Sequence, residues 1–396
     1  MIVDGKRELV YTATITDIQP LEGYDRVELA TVNDGWRVIV SKEDNFKPGD
    51  ICVYFEVDSK VPNTDERFAF LEKRKYKIKT QKMCKTISQG LVMPISTFPE
   101  IGNNVESGRP LTDLLHVVYY IDEDNERKSN KVNKDAKYKS MSSRHQNLAK
   151  KRWWRWLMRR EWGKKLLFVF FGKKKDSPKG FPSFVSKTDE ERVENMPWVL
   201  NDNEKKWIAT EKLDGTSCTY ALERTKTTFS KGKNKFEFYV CSRNVRMRDE
   251  TQTCYHDHNI YWDMAFKYDI ERKLTEWLIT HPDDRFVCIQ GEGVGSVQGN
   301  PLKLKEDDLY VFNFIIPSGR VDSYTGKIIC EGMGFKFVPI LGEVTLPNNM
   351  EDMKLTADGN SVVNTKVMRE GIVYRSLDGQ ESFKNVSREY LLKHGG

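Results

Sequence analysis

The sequence is poor in cysteine and histidine, and it lacks any long apolar run. Its seven cysteines are an odd number without a Cys-x-x-Cys pair, which favours reduced thiols and an intracellular, cytoplasmic protein. Only His256 and His258 lie close together, so no zinc site of the usual ligand spacing is expected. The apolar run LLFVFF at 166–171 is too short to cross a bilayer, and the N-terminus has no apolar stretch of signal-peptide length. These absences argue against a secreted, a zinc-binding or a membrane-spanning protein.

Positive charge is present in excess, but only in one segment. The 396 residues are 38% apolar and 31% charged, which is typical of a soluble chain of two or three globular domains. The formal net charge is +6, yet residues 127–175 hold 18 Lys and Arg against 2 Asp and Glu, which leaves 46 against 56 in the rest. A basic segment in an otherwise acidic chain predicts a local binding site for polyanions.

Short segments rich in β-branched and aromatic residues dominate the first hundred residues. Five of them are predicted to be antiparallel strands, at 8–18, 26–32, 36–40, 51–57 and 89–95. Between the second and the third, Asp34-Gly35 is expected to supply the positive φ angles of a tight hairpin. Five strands of this length fit a small barrel such as the OB-fold, which commonly binds single-stranded nucleic acid, and they fit an SH3-like barrel as well.

The composition changes after the predicted barrel. A polar stretch over 122–140 is predicted to be a loop, and a basic stretch over 145–165 is predicted to be a helix with four tryptophans. These are Trp153, Trp154, Trp156 and Trp162. Three uses of the tryptophans stay open: packing between domains, contact with unpaired bases, or docking on a membrane or a protein. We expect residues 116–180 to form a basic linker or insertion.

The remaining residues mix helix and strand signals. Thr188 and Glu191 match the two ends of a capping box, which predicts a short helix over 190–195. Apolar spacing predicts a helix over 257–279, and SREYLLK predicts a closing helix over 387–393. Strands are predicted at 207–210, 217–222, 236–244, 285–293, 308–316, 371–376 and 381–385.

Lys212 lies in the stretch TEKLDGTS, two residues before an aspartate and a glycine. This pattern alone also fits a surface lysine beside a turn. Five further segments follow it in order: SRN (242–244), GEGVG (291–295), YVFNF (310–314), EGIVYR (370–375) and SFKN (382–385). Together the six segments resemble the motifs of the covalent nucleotidyltransferase superfamily, which contains ATP-dependent ligases and mRNA capping enzymes.

The N-terminal segments LEGYDRVELATVNDGWRVIV and FKPGDICVYFEVDSKVP, with FPSFVSKTDEERVEN, narrow this resemblance. They are similar to ATP-dependent RNA ligases of the fifth Rnl family, the Deinococcus and Naegleria type. The resemblance implies an α+β chain, with an OB-fold β-barrel at 1–115 ahead of a nucleotidyltransferase domain at 181–396. That domain would consist of antiparallel sheets with flanking helices. DNA ligases and capping enzymes place an OB domain after this domain instead, and only 12 residues follow Lys384.

A ligase of this kind relays AMP through a lysine, so Lys212 must lose its proton before it attacks the α-phosphorus of ATP. Its pKa must therefore be lowered by a nearby cation or by desolvation. A divalent ion, Mg²⁺ or Mn²⁺, would favour the neutral amine and neutralise phosphate charge, often held by carboxylates through water. The resemblance thus implies ATP and a divalent metal ion as cofactors.

The family's functional positions fall on ten residues of this sequence. The resemblance implies catalytic roles for Lys212, Glu370 and Lys384, and metal roles for Asp214, Glu292 and Glu370. Nucleotide contacts would come from Glu211, Lys212, Arg192, Arg243, Asn244, Glu292, Phe312 and Lys384, with Tyr310 as the substitute for Phe312 on the adenine. Related enzymes often show a second lysine two residues from Lys384, where this chain has Ser382 and Val386.

The expected activity is sealing of RNA 3′-OH and 5′-phosphate ends, at nicks with RNA on the 3′-OH side, by a monomer. The partners would be RNA ends or a nicked RNA-containing duplex. Two alternatives are a DNA nick ligase or capping enzyme of the same mechanism, and a non-catalytic nucleic-acid binding module. The intact lysine and its three carboxylates argue against the non-catalytic module.

Overall fold

A computed structural model describes residues 1–3, 6–21, 23–83, 86–102, 105–119, 151–171, 180–225, 235–250, 252, 258–379 and 381–394. The loop predicted over 122–140 and the first residues of the predicted basic helix lie outside this part of the chain. Within it, no helix is long and apolar enough to cross a membrane.

The N-terminal part is a curled antiparallel sheet, which confirms the five predicted strands. The strands of this part are β1 (Ile2–Val3), β2 (Lys6–Arg7), β3 (Val10–Pro20), β4 (Val27–Val32), β5 (Trp36–Ser41), β6 (Ile51–Phe55), β7 (Ser59–Lys60), β8 (Gln81–Met83), β9 (Thr86–Ser88), β10 (Leu91–Pro94) and β11 (Val118–Tyr119). Five of them pair in the order β10-β6-β3-β4-β5, and the Gln89 N–H donates to the Arg37 carbonyl at 2.8 Å, which closes the sheet toward a barrel. Inward-facing aromatic side chains, among them Tyr11, Trp36 and Tyr54, fill its interior.

The β4–β5 hairpin differs from its prediction in one respect. Its positive φ angles belong to Asn33 (50°) and Asp34 (58°), so the turn is of type I′ and Gly35 does not carry the left-handed angle. Gly35 is needed for a different reason. A Cβ atom there would lie 1.9 Å from the carbonyl oxygen of Glu194 in the C-terminal part, so this glycine lets the two parts of the chain touch.

The basic segment forms two helices where one was predicted. These are α1 (Arg152–Met158) and α2 (Glu161–Phe171), separated by Arg159 and Arg160. Gly163 packs against the Leu157 backbone so closely that a Cβ atom would lie 2.3 Å from the Leu157 carbonyl oxygen. The chain therefore folds back on itself at this point as a tight helix pair.

The C-terminal part contains two sheets, as expected from the family resemblance. Their strands are β12 (Glu191–Arg192), β13 (Lys206–Lys212), β14 (Thr216–Thr225), β15 (Lys235–Cys241), β16 (Phe286–Val294), β17 (Asp308–Ile316), β18 (Gly319–Arg320), β19 (Lys336–Phe337), β20 (Ile340–Thr345), β21 (Gly371–Ser376) and β22 (Ser382–Val386). The first sheet has the order β12-β22-β21-β13-β20, and the second has the order β15-β14-β16-β17-β18, with β19 also paired to β17. All pairs in the two sheets are antiparallel except β12–β22 and β17–β19.

Helices cover these sheets, and a hydrophobic core that includes Leu222, Leu274 and Phe314 lies between the second sheet and its helices. The helix predicted over 257–279 is interrupted at Asp269, which adopts a left-handed φ of 50° and separates two shorter helices. The helices are α3 (Ile260–Lys267), α4 (Ile270–Thr280), α5 (Ser323–Gly332), α6 (Met350–Thr356) and α7 (Arg388–His394).

The short helix predicted over 190–195 is wrong. Glu191 and Arg192 form strand β12, parallel to β22, and a 3-10 turn over Val193–Asn195 follows. The Glu191 carboxylate accepts from the Ile2, Arg192 and Asn195 nitrogens and does not reach back to Thr188. A strand forms here because β22, almost two hundred residues later in the sequence, supplies the hydrogen-bonding partners.

Candidate active site

Lys212 is the last residue of β13, where the chain leaves the first sheet and enters the second. Residues 213–215 form the turn, and β14 begins at Thr216. A Cβ atom on Gly215 would lie 2.3 Å from the Gly293 carbonyl oxygen, so a glycine is required where this turn passes β16. The KLDG stretch therefore places its lysine at the junction of the two sheets.

Folding brings the predicted carboxylates to this lysine. The Lys212 Nζ donates to Glu370 Oε2 at 2.5 Å, because Lys212 pairs with Gly371 in the β13–β21 ladder. The charges of Glu292, on β16, and of Asp214 also act on Lys212. The Asp214 carboxylate accepts a 2.6 Å hydrogen bond from the Tyr390 hydroxyl of α7.

These carboxylates control the protonation of the site. Burial lowers the pKa of Lys212, but the charges of Glu370, Glu292 and Asp214 outweigh burial and raise it above its usual value. Burial raises the pKa of Glu292 to about 8, and the Glu370 and Asp214 charges act in the same direction. The side chains alone therefore keep Lys212 protonated, so the lowered lysine pKa that the chemistry requires must come from an added cation.

Asp189 bridges two of the predicted phosphate-binding residues. Its Oδ1 accepts from Lys384 Nζ at 3.1 Å, and its Oδ2 accepts from Arg243 Nη2 at 2.7 Å. Burial lowers the pKa of Lys384 to about 8 against the attraction of Asp189, and the charges of Arg7 and Arg192 lower it further. Asp189 was missed in the sequence, because its stretch matched the capping box of a helix that does not form.

Arg192 lies opposite Lys384 in the β12–β22 ladder, deep between the N-terminal and C-terminal parts. Its Nη2 donates to Asp58 Oδ2 of the N-terminal part at 3.1 Å. Its Nε and Nη1 atoms are buried without a hydrogen-bond partner. The guanidinium thus has donors left for an anion, although its direct ion pair is with the N-terminal part.

The residues predicted to hold the nucleobase lie on facing strands. Glu211 Oε2 accepts from the Val362 N–H at 2.9 Å, while its Oε1 is buried and has no partner. Tyr310 lies directly opposite Glu292 in the β16–β17 ladder, and Phe312 is the extra residue of a bulge in β17. Burial raises the pKa of Tyr310, and the charges of Asp308 and Glu211 act in the same direction.

Two further observations complete the site. Asn244 is exposed in the turn that follows β15, beside the Arg243 that binds Asp189. Tyr390, which binds Asp214, was also missed in the sequence, because a tyrosine in a closing helix has no motif signal of its own.

The donor chemistry fits a hard divalent ion and a nucleotide. Three carboxylates converge around one lysine, and oxygen donors are what Mg²⁺ and Mn²⁺ prefer. Among the residues that the structure describes, no three His, Cys, Asp or Glu side chains are close enough to hold a metal ion directly, so these carboxylates could hold one through water. The unpartnered Glu211 oxygen could accept from an exocyclic amine such as that of adenine.

Comparison with known proteins agrees with this geometry. Residues 9–95 match the OB-fold domain family, and residues 205–393 match the RNA ligase family. The OB match decides between the two barrels that the strand pattern left open. No match was found among curated protein sequences.

Solved structures of the RNA ligase of Naegleria gruberi are similar over nearly the whole chain. A variant without ligand is 27% identical with a TM-score of 0.72, covering 98% of this chain and 98% of that one. The complex with PPi is 27% identical with a TM-score of 0.71, covering 98% and 99%. A variant with ATP and Mn is 26% identical with a TM-score of 0.70, again covering 98% and 99%. Residues 205–393 therefore form a domain of the RNA ligase family, with an OB-fold domain ahead of it.

Proposed function

We propose that this protein is an ATP-dependent RNA ligase that joins a 3′-OH end to a 5′-phosphate end, at nicks with RNA on the 3′-OH side. The observation that carries the proposal is the partly buried Lys212–Glu370 pair at the junction of the two sheets of an RNA ligase domain. Lysine is a nucleophile that can hold AMP through a P–N bond, and the charges of three carboxylates, Glu370, Glu292 and Asp214, act on Lys212.

The reaction would have three steps, each a transfer at phosphorus. The Lys212 amine attacks the α-phosphorus of ATP, a P–N bond forms, and pyrophosphate leaves. An oxygen of the RNA 5′-phosphate then attacks the same phosphorus, and the P–N bond breaks. Finally the 3′-hydroxyl attacks the 5′-phosphate of the adenylylated end, a phosphodiester forms, and AMP leaves.

The chain's own side chains would move the proton and hold the charges. Glu370 contacts Lys212 directly, and burial raises the pKa of Glu370, which strengthens it as the base that takes the lysine proton. Asp214, Glu292 and Glu370 would hold Mg²⁺ or Mn²⁺. When bound, the ion would oppose the carboxylate charges that raise the pKa of Lys212 and would neutralise phosphate charge.

The other predicted residues would bind the nucleotide. Lys384 would bind the α-phosphate, and Arg243, Asn244 and Arg192 would contact the ribose or the phosphates. Because Asp189 holds Arg243 beside Lys384, Arg243 is a candidate for the cation that a second lysine supplies in related enzymes. Glu211 would accept from the adenine amine, with Phe312 or Tyr310 stacked on the ring.

Variants of the Naegleria gruberi enzyme support this assignment. Its solved structures include alanine substitutions of a lysine and an aspartate that lie two residues apart, and of a glutamate and a lysine that lie fourteen residues apart. Lys212 and Asp214 have the first spacing, and Glu370 and Lys384 have the second. The proposed site residues thus share their type and spacing with positions that were substituted in that enzyme.

The test is transfer of label from ATP labelled in its α-phosphate to the protein. The native chain is expected to become labelled, and Lys212→Ala to remain unlabelled. Lys206→Ala is the matched control, because Lys206 lies on the same strand, is exposed and pairs with Glu343. Labelling of Lys212→Ala would refute the site, and labelling from GTP in place of ATP would favour a capping enzyme.

The acceptor is tested separately with four nicked duplexes that vary RNA and DNA on each side of the break. We expect sealing wherever the 3′-OH side is RNA, and sealing of the all-DNA nick instead would favour a DNA ligase. A chain that takes label from neither nucleotide would favour the non-catalytic binding module.

The compartment, the oligomeric state and the domain boundaries of the protein belong to the proposal too. We propose an intracellular, cytoplasmic monomer, and the buried free thiols of Cys52, Cys241, Cys288 and Cys330 support a reducing compartment. Domain boundaries near 115 and 180 stay a prediction. Val117 still packs in the N-terminal core, and Val185 already packs against the second sheet.

A further inference from the structure

The helix pair α1–α2 carries the part of the sequence that the ligase reaction does not use. Of its four tryptophans only Trp154 is buried, whereas Trp153, Trp156 and Trp162 are 43%, 49% and 53% exposed. Packing of all four against a neighbouring domain, one of the uses left open by the sequence, is therefore excluded. Leu166 is also 43% exposed, so a second large apolar type shares this surface.

The exposed apolar side chains lie on one side of each helix. Trp153 and Trp156 are three residues apart on α1, and Trp162 and Leu166 are four residues apart on α2, which places each couple on a single helix face. The Trp156 and Trp162 rings meet edge to face at 5.8 Å, which joins the two couples across the helix pair. We call these four side chains the tryptophan face.

Other side chains of the pair are buried. These are Trp154 and Leu167, and Gly163 packs on the Leu157 backbone. The tryptophan face is thus presented by a tightly packed support. Four large apolar side chains exposed together in this way mark an interaction surface.

Charge identifies the partner as a polyanion. Residues 151–167 contain seven Lys and Arg but a single acidic residue. Two polyanions are considered, a nucleic acid and an anionic bilayer. They differ in the tryptophan geometry that they require. Bases stack on open aromatic faces, whereas a bilayer interface accepts any large apolar side chain with basic groups around it.

The geometry favours the bilayer. The Arg160 guanidinium lies over the Trp156 ring at 3.9 Å, so one face of this ring is already covered. Leu166 has no π face to offer to a base. Tryptophan, leucine and arginine together are the composition of helices that lie in the plane of a membrane interface. We propose that the tryptophan face docks this protein on the surface of an anionic lipid bilayer.

Docking would leave the protein peripheral. An 11-residue helix such as α2 rises about 16 Å, half of what a bilayer core requires. The tryptophans would enter the headgroup region, and the basic side chains would meet anionic headgroups. The proposal does not depend on the ligase assignment.

The experiment is flotation of the full chain with two kinds of vesicle, phosphatidylcholine alone and phosphatidylcholine mixed with phosphatidylserine. The chain is expected to float with the mixed vesicles and not with the neutral ones. The triple variant Trp153→Ala/Trp156→Ala/Trp162→Ala should bind the mixed vesicles at least about tenfold more weakly. Arg152→Gln/Arg155→Gln should bind the mixed vesicles about fivefold more weakly for each charge removed, and its binding should depend less steeply on added salt.

The matched control is Trp198→Ala, since Trp198 is 59% exposed but lies outside the helix pair. Its vesicle binding should equal that of the native chain, and an unchanged thermal unfolding curve of the triple variant shows that it is folded. Failure of the native chain to bind the mixed vesicles overturns the proposal. So does a triple variant that floats normally but loses affinity for nicked RNA duplex, because the face would then be an RNA contact.

Discussion

Two groups of basic side chains in this molecule carry the same charge but differ in their burial and in their pairing with carboxylates. At the candidate active site Lys212, Lys384 and Arg192 are largely buried, and each is paired with a carboxylate. On the helix pair Arg152, Arg155 and Arg159 are exposed beside exposed tryptophans. Buried, paired cations have fixed positions, as recognition of a single phosphate requires, whereas exposed cations suit an extended anionic surface. The first group is therefore suited to chemistry and the second to docking.

Removal of divalent metal should have the largest effect and should act only on the first group. The carboxylates raise the pKa of Lys212 above its usual value, so the amine stays protonated at neutral pH without a cation. Transfer of label from ATP should fall to background in a chelator and return with Mg²⁺ or Mn²⁺. Raising the pH to about 9 should not restore it, and restoration would contradict the account.

Lys384→Met should have the next largest effect. It removes a buried cation of the proposed phosphate site and leaves Asp189 with Arg243 alone. We expect protein labelling to slow by about a hundredfold, the usual range for loss of one charge-stabilising contact. A single-turnover time course measures this rate, and a change of less than threefold would exclude Lys384 from the nucleotide site.

Asp189→Asn should change the pH dependence of ATP binding. A lysine whose pKa is depressed to about 8 is charged below that pH and loses its charge as the pH rises through it. Asp189 opposes that depression, so the asparagine variant should lose the charge at a lower pH. The KM for ATP should rise about tenfold near pH 8 and much less near pH 6.5. An equal change at both pH values would indicate a purely structural role for Asp189.

Asp58→Asn should destabilise the contact between the two domains. It leaves the buried Arg192 guanidinium without its carboxylate, which we expect to cost about 2 kcal/mol of unfolding free energy. The control is Asp113→Asn, whose pair with Lys6 is exposed and should contribute less than about 0.5 kcal/mol. Denaturant unfolding compares the two variants, and equal midpoints would show that the interdomain pair does not stabilise the fold.

Arg155→Gln should have the smallest effect on chemistry. Arg155 is exposed on α1, so labelling from ATP should change by less than about twofold. A large loss of labelling would remove the distinction between the two groups of cations, because the helix pair would then act in the reaction.

The sequence predicted those features that local pattern determines. The OB strands were predicted from their β-branched and aromatic residues, and strand pairing confirms them. The six ordered motifs likewise indicated Lys212 and Glu370, which the fold brings into contact. Prediction from the sequence failed where a residue far away along the chain determines the local structure. β12 is a strand because β22 pairs with it, and Gly35 is a glycine because Glu194 approaches it. Asp189 could not be recognised, since its role depends on two cations that only the fold brings together.

The most direct test of the central claim is peptide mapping of the protein after incubation with ATP and a divalent ion, without RNA. We expect one AMP per chain, attached to the side-chain nitrogen of Lys212 by an acid-labile P–N bond and removed by added pyrophosphate. AMP on any other residue, or a chain that takes up none, would contradict it.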